Sequence, residues 1–252
     1  MNPLVELRYF FTALGYFTRV PVPRWVGYQP DYLHHAARYF PLIGALVGSI
    51  GALIYLAALH FFPAGIAVLL SMTATLVVTG AFHEDGLADC ADAFGGAYTR
   101  DDALRIMQDS RIGAFGAIAL AIALALKWQT LAALPPARAA WLMIAAHAAS
   151  RACAISLLMT LDYARTEGKA KPVAQRMTRG AFACALVFGL PWLFWPDWRE
   201  GCLCAGVLVV LRVALGRYFV RRIGGYTGDC LGMAQQIGEL AVYLTGVAWM
   251  SS

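Results

Sequence analysis

The residues best suited to chemistry lie in one acidic run, HEDGLADCAD, at positions 83–92. Asp85, Asp89 and Asp92 are spaced i, i+4 and i+7, so a helix would place their carboxylates on one face. Like charges on one face repel each other unless a cation neutralises them, and carboxylate oxygens are ligands that suit Mg²⁺. Together with Glu84, these residues predict a Mg²⁺ site.

A helix that merely exposes an acidic face to water is the competing interpretation of this run. Acidic residues do not anchor a helix at a membrane surface as Lys and Arg do, and the run directly follows an apolar segment. Gly86, Gly95 and Gly96 would also let a ligand approach the backbone closely. These features favour a metal site, whereas His83 stays open as metal ligand, proton carrier or interfacial side chain.

A second polar motif, DSRIGAFG at positions 109–116, precedes another apolar block. An arginine beside a serine and glycines at a helix start is suited to binding phosphate through its guanidinium and through backbone N–H groups. Capping of the following helix by Asp109 or Ser110, with Arg111 as a membrane anchor, explains the same residues. The two interpretations are compatible.

A third motif, IGGYTGDCLG at positions 223–232, is rich in glycine and contains Asp229. A glycine-rich loop does not by itself indicate a ligand site. Asp229 adds a carboxylate that is able to join the metal ligands or to act as a general base for a hydroxyl group. A plain turn would need the same residue types, so both interpretations stay open.

The chain that must position these residues is unusually apolar. Of its 252 residues, 60% are hydrophobic and 14% are charged, whereas soluble domains carry about 25% charged residues. The apolar residues form blocks of about the length that a helix needs to cross a bilayer, and open strands are excluded there because unpaired backbone groups are costly in lipid. The sequence predicts an all-α, polytopic membrane bundle that forms one domain over residues 1–252. About seven transmembrane helices are predicted, near 40–60, 64–82, 112–134, 139–161, 181–196, 201–220 and 231–250.

Four long polar segments alternate with three short connections, and the long segments hold most of the positive charge. The short connections contain only Arg138 and Arg199. The positive-inside rule then places the N-terminus and the long segments in the cytoplasm, as in a multi-pass protein of the cell inner membrane. Residues 1–39 are predicted to be cytoplasmic or interfacial, with a surface helix over Leu4 to Thr18. The positive residues of the long segments are Arg8, Arg19, Arg24, Arg38, Arg100, Arg105, Arg111, Arg165, Lys169, Lys171, Arg176, Arg179, Arg221 and Arg222.

Ionisable residues also fall inside predicted spans, where they are costly and usually face the bundle interior or a wet cavity. Arg151 follows His147 and Ser150 at helical spacing, which predicts a polar stripe that faces the interior. Lys127 lies near the outer end of its span and is predicted to extend to the interface. Arg212 and Glu239 belong to the same class.

Taken together, the motifs resemble the cobalamin synthase family, the adenosylcobinamide-GDP ribazoletransferases. The resemblance rests on the three motifs above, on FTRVPVP at 17–23 and on ARYFP at 37–41. It extends over the whole chain in the expected order and spacing, without departure at the acidic positions. It implies a Mg²⁺-dependent inner-membrane enzyme that joins α-ribazole, or its 5′-phosphate, to adenosylcobinamide-GDP and releases GMP.

In this interpretation, the metal would neutralise the diphosphate and help GMP to leave. The 3′-hydroxyl of ribazole would attack the phosphorus attached to the cobinamide arm, with Asp92 or Asp229 as the candidate base. The candidates for binding phosphates are Arg105, Ser110 and Arg111, and those for close approach of substrate to the backbone are Gly224, Gly225 and Gly228.

Two other classes of protein compete with this interpretation. A membrane prenyltransferase also holds Mg²⁺-diphosphate on acidic motifs, but its paired Asp-rich motifs are not reproduced, because the second loop offers only Asp229. An ion-coupled transporter would use Arg151, Arg212 and Glu239 as a translocation path, but no inverted repeat is evident. The expected partners are the small-molecule substrates and the lipid bilayer, without nucleic acid, and a homo-oligomer is compatible with the sequence.

Labelling of introduced cysteines tests the predicted orientation. Single cysteines placed near Gly96 and near Gly225 should react with a membrane-impermeant thiol reagent from the cytoplasmic side, because both positions fall in positively charged long segments. Labelling from the periplasmic side would overturn the orientation.

Overall fold

The structure is a computed structural model that describes residues 2–27, 29–165 and 176–251. In this part of the chain, eleven α-helices and short 3₁₀ segments occur and no strand, which confirms the all-α prediction. Lys169 and Lys171, counted above as cytoplasmic charge, lie outside the described residues. The helices are α1 (Pro3–Phe17), α2 (Pro30–Ala36), α3 (Phe40–Ala58), α4 (Ala64–Thr79), α5 (Phe82–Gly96), α6 (Arg100–Ile106), α7 (Ala114–Ala132), α8 (Pro136–Ser156), α9 (Arg179–Gly189), α10 (Trp198–Ile223) and α11 (Gly228–Ser251).

Four helical stretches of the described residues are each long and apolar enough to cross a membrane: α2 and α3 taken together, α7, α8 with the turn after it, and α10. Helices α4 and α5 meet the same criterion only as a pair, which is bent by 88° at its junction. The described residues thus contain four candidate spans, or five if the pair is one span. A helical membrane bundle agrees with this count, but the predicted number of seven spans stays unconfirmed.

The two remaining predicted spans differ from the others for physical reasons. The predicted span 181–196 corresponds to the apolar helix α9 and the turn after it, which together are shorter than a full crossing. The predicted span 231–250 corresponds to α11, whose apolar run is interrupted by Gln235, Gln236 and Glu239. The predicted N-terminal helix is present as α1.

Local sequence explains where several helices begin. The residue just before each of α1, α6, α9 and α10 accepts, through a side-chain oxygen, a hydrogen bond from a backbone N–H of the first turn. These capping residues are Asn2, Thr99, Thr178 and Asp197. Proline occupies the first turn of α1, α3 and α8, where the N–H that it lacks would have no partner within the helix. These residues set the helix starts before tertiary packing is considered.

Small residues let the central helices approach each other closely. Helix α3 packs against α8, and a Cβ on Gly48 would lie 2.5 Å from the carbonyl oxygen of Met143. At Gly44, an added Cβ would overlap the carbonyl oxygen of His147. Glycine is therefore required on α3 for this crossing, as is common where membrane helices pack backbone to backbone.

A second close crossing joins α5 to α11. A Cβ on Gly86 would lie 2.9 Å from the carbonyl oxygen of Asp229 and 3.2 Å from Cα of Gly232. Helix α11 also packs against α8 and α10, so it connects the acidic helix to the rest of the bundle. The start of α11 is thereby held beside the acidic face of α5.

The junction between α4 and α5 depends on two residues with positive φ. Gly80 has φ +66° and Ala81 has φ +56°, and the N–H groups of both donate to the Leu76 carbonyl. A non-glycine residue in this region costs about 1–3 kcal/mol, so the surrounding packing must hold Ala81 there. The bend separates the apolar α4 from the acidic α5.

A network of buried ionisable and polar residues in the interior is centred on Glu239. The Nζ atom of Lys127 lies 2.9 Å from Oε1 of Glu239, and the Gln235 amide donates to Oε2 at 2.7 Å. The Tyr243 hydroxyl donates to Oε1 at 3.1 Å. Arg151 and Glu239 are fully buried, which confirms that they face the interior.

The prediction that Lys127 extends to the interface is wrong. Only 6% of Lys127 is exposed, because its ammonium group pairs with Glu239 inside the bundle. The ammonium group pairs with the buried carboxylate of Glu239 instead of reaching the membrane interface, because a charge that leaves water must be paired.

This pair predicts the stability of two variants. Lys127→Met leaves Glu239 without its closest cation and should destabilise the protein by about 3–5 kcal/mol, whereas adding Glu239→Gln should restore much of the loss. Thermal unfolding in detergent measures both variants. Arg176→Met is the control, because the Arg176–Asp162 pair is exposed and should contribute at most about 1 kcal/mol. A Lys127→Met protein as stable as the wild type would contradict the pairing.

Candidate active site

An acidic cavity of about 410 Å³ lies where α5, the start of α11 and the turn after α6 meet. Asp85 and Asp89 face it from successive turns of α5, and Asp229 faces it from the first turn of α11. The other charged and polar lining residues are Tyr16, Gln108, Asp109, Ser110, Tyr163 and Arg165. Three carboxylates from two crossing helices thus share one space.

The local structure at Asp229 follows from the residues around it. Thr227 lies just before α11, and its hydroxyl oxygen accepts the N–H of Cys230 at 3.3 Å. Asp229 Oδ2 accepts hydrogen bonds from Arg165 Nη2 at 2.8 Å and from the Thr227 hydroxyl at 3.3 Å. A carboxylate in the first turn also suits the positive end of the helix dipole. The start of α11 therefore holds Asp229 in one place.

Helix α1 closes one wall of the cavity through aromatic contacts. The Tyr16 ring lies 5.3 Å from the Phe82 ring, and the Phe17 ring stacks on His83 at 5.3 Å. His83 is buried by this contact and does not line the acidic cavity. Of the three roles left open for His83, the interfacial one is therefore wrong.

The donor chemistry of this cavity fits Mg²⁺ that is shared with a ligand. Asp85, Asp89 and Asp229 offer hard oxygens, yet no three His, Cys, Asp or Glu residues in the described part converge into a ready-made metal site. Mg²⁺ usually keeps several waters and takes only one or two carboxylates together with phosphate oxygens. Carboxylates that line a cavity without converging suit that mode of binding.

Comparison with known proteins identifies the family. The sequence model of the family described as cobalamin-5-phosphate synthase matches residues 9–247. This chain belongs to that family. The adenosylcobinamide-GDP ribazoletransferase of Ralstonia pickettii (strain 12J) is 60% identical over an alignment of 260 positions, which covers 100% of both chains.

Further relatives of the cobalamin-5-phosphate synthase family carry the same description. The protein of Ralstonia nicotianae is 59% identical, with 97% of this chain and 96% of the relative covered. That of Shewanella frigidimarina is 45% identical with the same coverage. No solved structure matches the chain.

Two of the predicted metal ligands lie outside the cavity in this chain. Glu84 turns into the bundle, where its Oε1 accepts the Gln236 amide at 3.0 Å and lies 3.8 Å from Nζ of Lys127. Asp92 accepts the backbone N–H groups of Gly113 at 2.7 Å and Gly116 at 2.8 Å. The structure therefore does not bring the four predicted ligands together.

Asp92 serves as a cap for α7 that is supplied by another helix. Its two oxygens bind the N–H groups that the first turn of α7 leaves without partners. A Cβ at Gly113 would lie 2.5 Å from Oδ1 of Asp92, so glycine is needed for this contact. The predicted roles of Asp92 as metal ligand and base stay predictions, while its contacts favour capping.

The predicted phosphate-binding residues are dispersed. Ser110 lines the cavity, whereas Arg105 pairs with Asp102 at 3.1 Å on the exposed face of α6. Arg111 binds Asp109 through side-chain and backbone N–H groups, which lowers the pKa of Asp109 to about 2. Neither arginine lines the cavity and both are already paired with carboxylates, so only Ser110 of the three predicted residues is in place to meet a ligand.

The glycine-rich loop has mainly a structural explanation. Gly224 ends α10 with φ +76°, and an added Cβ at Gly225 would overlap the carbonyl oxygen of Asp162. Gly228 alone of the three predicted glycines lines the cavity. It leaves open the approach to Asp229 from the α11 side.

Sequence reasoning did not assign Tyr16, Tyr163 or Arg165 to the site. By its charge, the basic segment from Arg165 to Arg179 suits a nucleotide or, more simply, anionic lipid head groups. That pattern does not reveal the contact with Asp229, which joins residues that are 64 positions apart. No spacing rule links such distant residues. Only the fold of the chain reveals the contact.

Asp92→Ala tests the capping contact. Loss of both acceptors should destabilise the protein by about 1–2 kcal/mol, because the N–H groups of the exposed Gly113 and the buried Gly116 lose their partner. Thermal unfolding in detergent measures the change, with Asp101→Ala as a control because Asp101 is 92% exposed. Unchanged stability of Asp92→Ala would exclude a capping role.

Proposed function

We propose that this chain joins α-ribazole, or α-ribazole 5′-phosphate, to adenosylcobinamide-GDP. The products are adenosylcobalamin, or its 5′-phosphate, and GMP. The observation that carries the proposal is identity of 60% over the full length of a relative named adenosylcobinamide-GDP ribazoletransferase. The acidic cavity supports it, because diphosphate chemistry needs a site that neutralises developing negative charge.

The carboxylates that line the cavity are the residues we assign to Mg²⁺. Asp85, Asp89 and Asp229 replace the set first predicted, because Glu84 and Asp92 have other partners. When bound, the ion would offset the charge of the diphosphate and ease departure of GMP. The carboxylates themselves would supply the negative charge that attracts the cation to the cavity.

In the transfer step, the 3′-hydroxyl oxygen of ribazole forms a bond to the phosphorus attached to the cobinamide arm. The bond from that phosphorus to the bridging oxygen breaks, and the electron pair leaves with GMP. Of the two candidate bases, Asp229 lines the cavity and Asp92 does not, so we assign the hydroxyl proton to Asp229. Most of the rate enhancement in phosphoryl transfer comes from positioning and charge neutralisation, so a general base assists the reaction without dominating it.

The cavity also supports a cytoplasmic site in a multi-pass inner-membrane protein. Its lining residues come from the long segments that hold most of the positive charge, including 83–111 and 162–180. Lys and Arg accumulate on the cytoplasmic side of membrane proteins. A nucleotide-activated substrate made in the cytoplasm would reach such a site without crossing the membrane.

A direct assay tests the proposal. Purified protein with adenosylcobinamide-GDP, α-ribazole and Mg²⁺ should release GMP and a corrinoid product, and chelation should stop the reaction until Mg²⁺ is restored. Asp85→Asn, Asp89→Asn and Asp229→Asn should each lower kcat by at least about 100-fold, because each removes a negative charge from the cavity.

Asp101→Asn is the control, since Asp101 is an exposed carboxylate on α6 and does not line the cavity. Absence of product with the wild-type protein would overturn the function. Full activity after chelation would remove the metal and leave the transferase assignment. Full activity in Asp89→Asn and Asp229→Asn would show that the cavity is not the site.

A further inference from the structure

Arg165 is the one cationic side chain among the described residues that lines the acidic cavity. Its Nη2 donates to Oδ2 of Asp229 at 2.8 Å, and the side chain is only 12% exposed. Its Nε is buried and makes no hydrogen bond within the described part of the chain. A guanidinium stays charged when buried, and an unused donor is costly unless a ligand satisfies it. The Nε–H group of Arg165 is thus a hydrogen-bond donor that is available to a ligand.

The backbone beside Arg165 is fixed by hydrogen bonds to the connection between α10 and α11. The Ala164 N–H donates to the Tyr226 carbonyl at 2.8 Å, and the Tyr226 N–H donates to the Asp162 carbonyl at 3.0 Å. Arg100, from α6, donates to the Ala164 carbonyl at 3.0 Å. The connection between α10 and α11 and helix α6 therefore hold Arg165 at the cavity, so its position there follows from the fold.

The charges of the cavity suit a metal ion and a diphosphate together. Asp85, Asp89 and Asp229 bring three carboxylates and Arg165 brings one guanidinium. Asp109, the fourth carboxylate in the lining, is already paired with Arg111, so two negative charges remain for a divalent cation to balance. A diphosphate adds further negative charge. Guanidinium groups bind phosphate oxygens through parallel N–H bonds, so a diphosphate would compete well with Asp229 for Arg165.

We propose that Arg165 is the phosphate-binding side chain of this site, and that it occupies Asp229 while no diphosphate is bound. When the diphosphate binds, the guanidinium turns to it and leaves both oxygens of Asp229 to the divalent ion and to the attacking hydroxyl. Metal and diphosphate then bind cooperatively, because each favours the same arrangement of Arg165 and Asp229. The identity of the diphosphate rests on the proposed function.

The exchange of Asp229 between Arg165 and the cation can be measured without turnover. Mn²⁺ serves as a spectroscopic probe for the divalent ion and GDP as a soluble diphosphate, with the protein in phosphatidylcholine nanodiscs. Without nucleotide, Arg165→Gln should bind Mn²⁺ about 3- to 10-fold more tightly than the wild type, because Asp229 is released. The same variant should bind GDP at least about 10-fold more weakly. Electron paramagnetic resonance measures Mn²⁺ binding, and calorimetry measures GDP binding.

Arg176→Gln is the matched control. It removes another Arg–Asp pair from the same part of the chain, Arg176–Asp162 at 3.0 Å, whose side chains are 66% and 77% exposed. Both affinities should stay as in the wild type. Arg165→Lys keeps the charge but loses the parallel N–H bonds, so it should shift both affinities in the directions of Arg165→Gln by smaller factors. It also supplies the test if Arg165→Gln does not fold.

The opposite signs of the two shifts separate a binding role from a structural one. If removal of Arg165 weakens Mn²⁺ and GDP binding together, or leaves Mn²⁺ binding unchanged, the proposal is overturned. If added phosphatidylglycerol abolishes GDP binding to the wild type, a lipid phosphate is the ligand and the assignment to substrate is overturned. Intact binding shifts in a protein that releases no GMP would support the Arg165 site and overturn the proposed function alone.

Discussion

The contact between two glycines, Gly86 on α5 and Gly232 on α11, is the constraint on which the site depends. Any side chain at Gly86 would meet the backbone of α11 at the turn that carries Asp229. Because this contact is backbone to backbone, it places carboxylates from distant parts of the sequence around one cavity. Flexible side chains are not needed to bring them together. Because glycines occupy the crossing point, α5 and α11 approach each other backbone to backbone, and this contact positions the acidic helix.

Beneath this crossing, buried charge stabilises the same two helices. Glu84 precedes Asp85 in the sequence but points into the bundle, towards Gln236 and Lys127, while Asp85 faces the cavity. Helix α11 carries Asp229 at the cavity and Glu239 in the interior. Each helix therefore carries acidic residues of both kinds, some that line the site and some that serve the packing. Charges removed from water need partners, which explains why the network is closed by Lys127.

The sequence predicted those features that depend on composition and on short spacings. The all-α fold and the common face of Asp85 and Asp89 follow from such patterns. So does the choice of Asp229 as a candidate metal ligand or general base. Glu84 and Asp92 were grouped with them because spacing cannot show which neighbour a helix face meets. Lys127 was misplaced because its partner, Glu239, lies 112 positions away. Arg165 was missed for the same reason, since long-range contacts come only from the fold.

The cap that Asp92 supplies to α7 also defines the segment between α5 and α7. Because the end of α5 holds the first turn of α7, the two ends of the segment 97–112 lie close together, while Ala103 and Met107 between them are packed in the core. The entropy of closing this loop depends only weakly on its length. Relatives are therefore free to lengthen or shorten the exposed stretch around Tyr98 without moving the membrane helices. Evolution can vary this exposed turn while the cavity and the bundle stay the same.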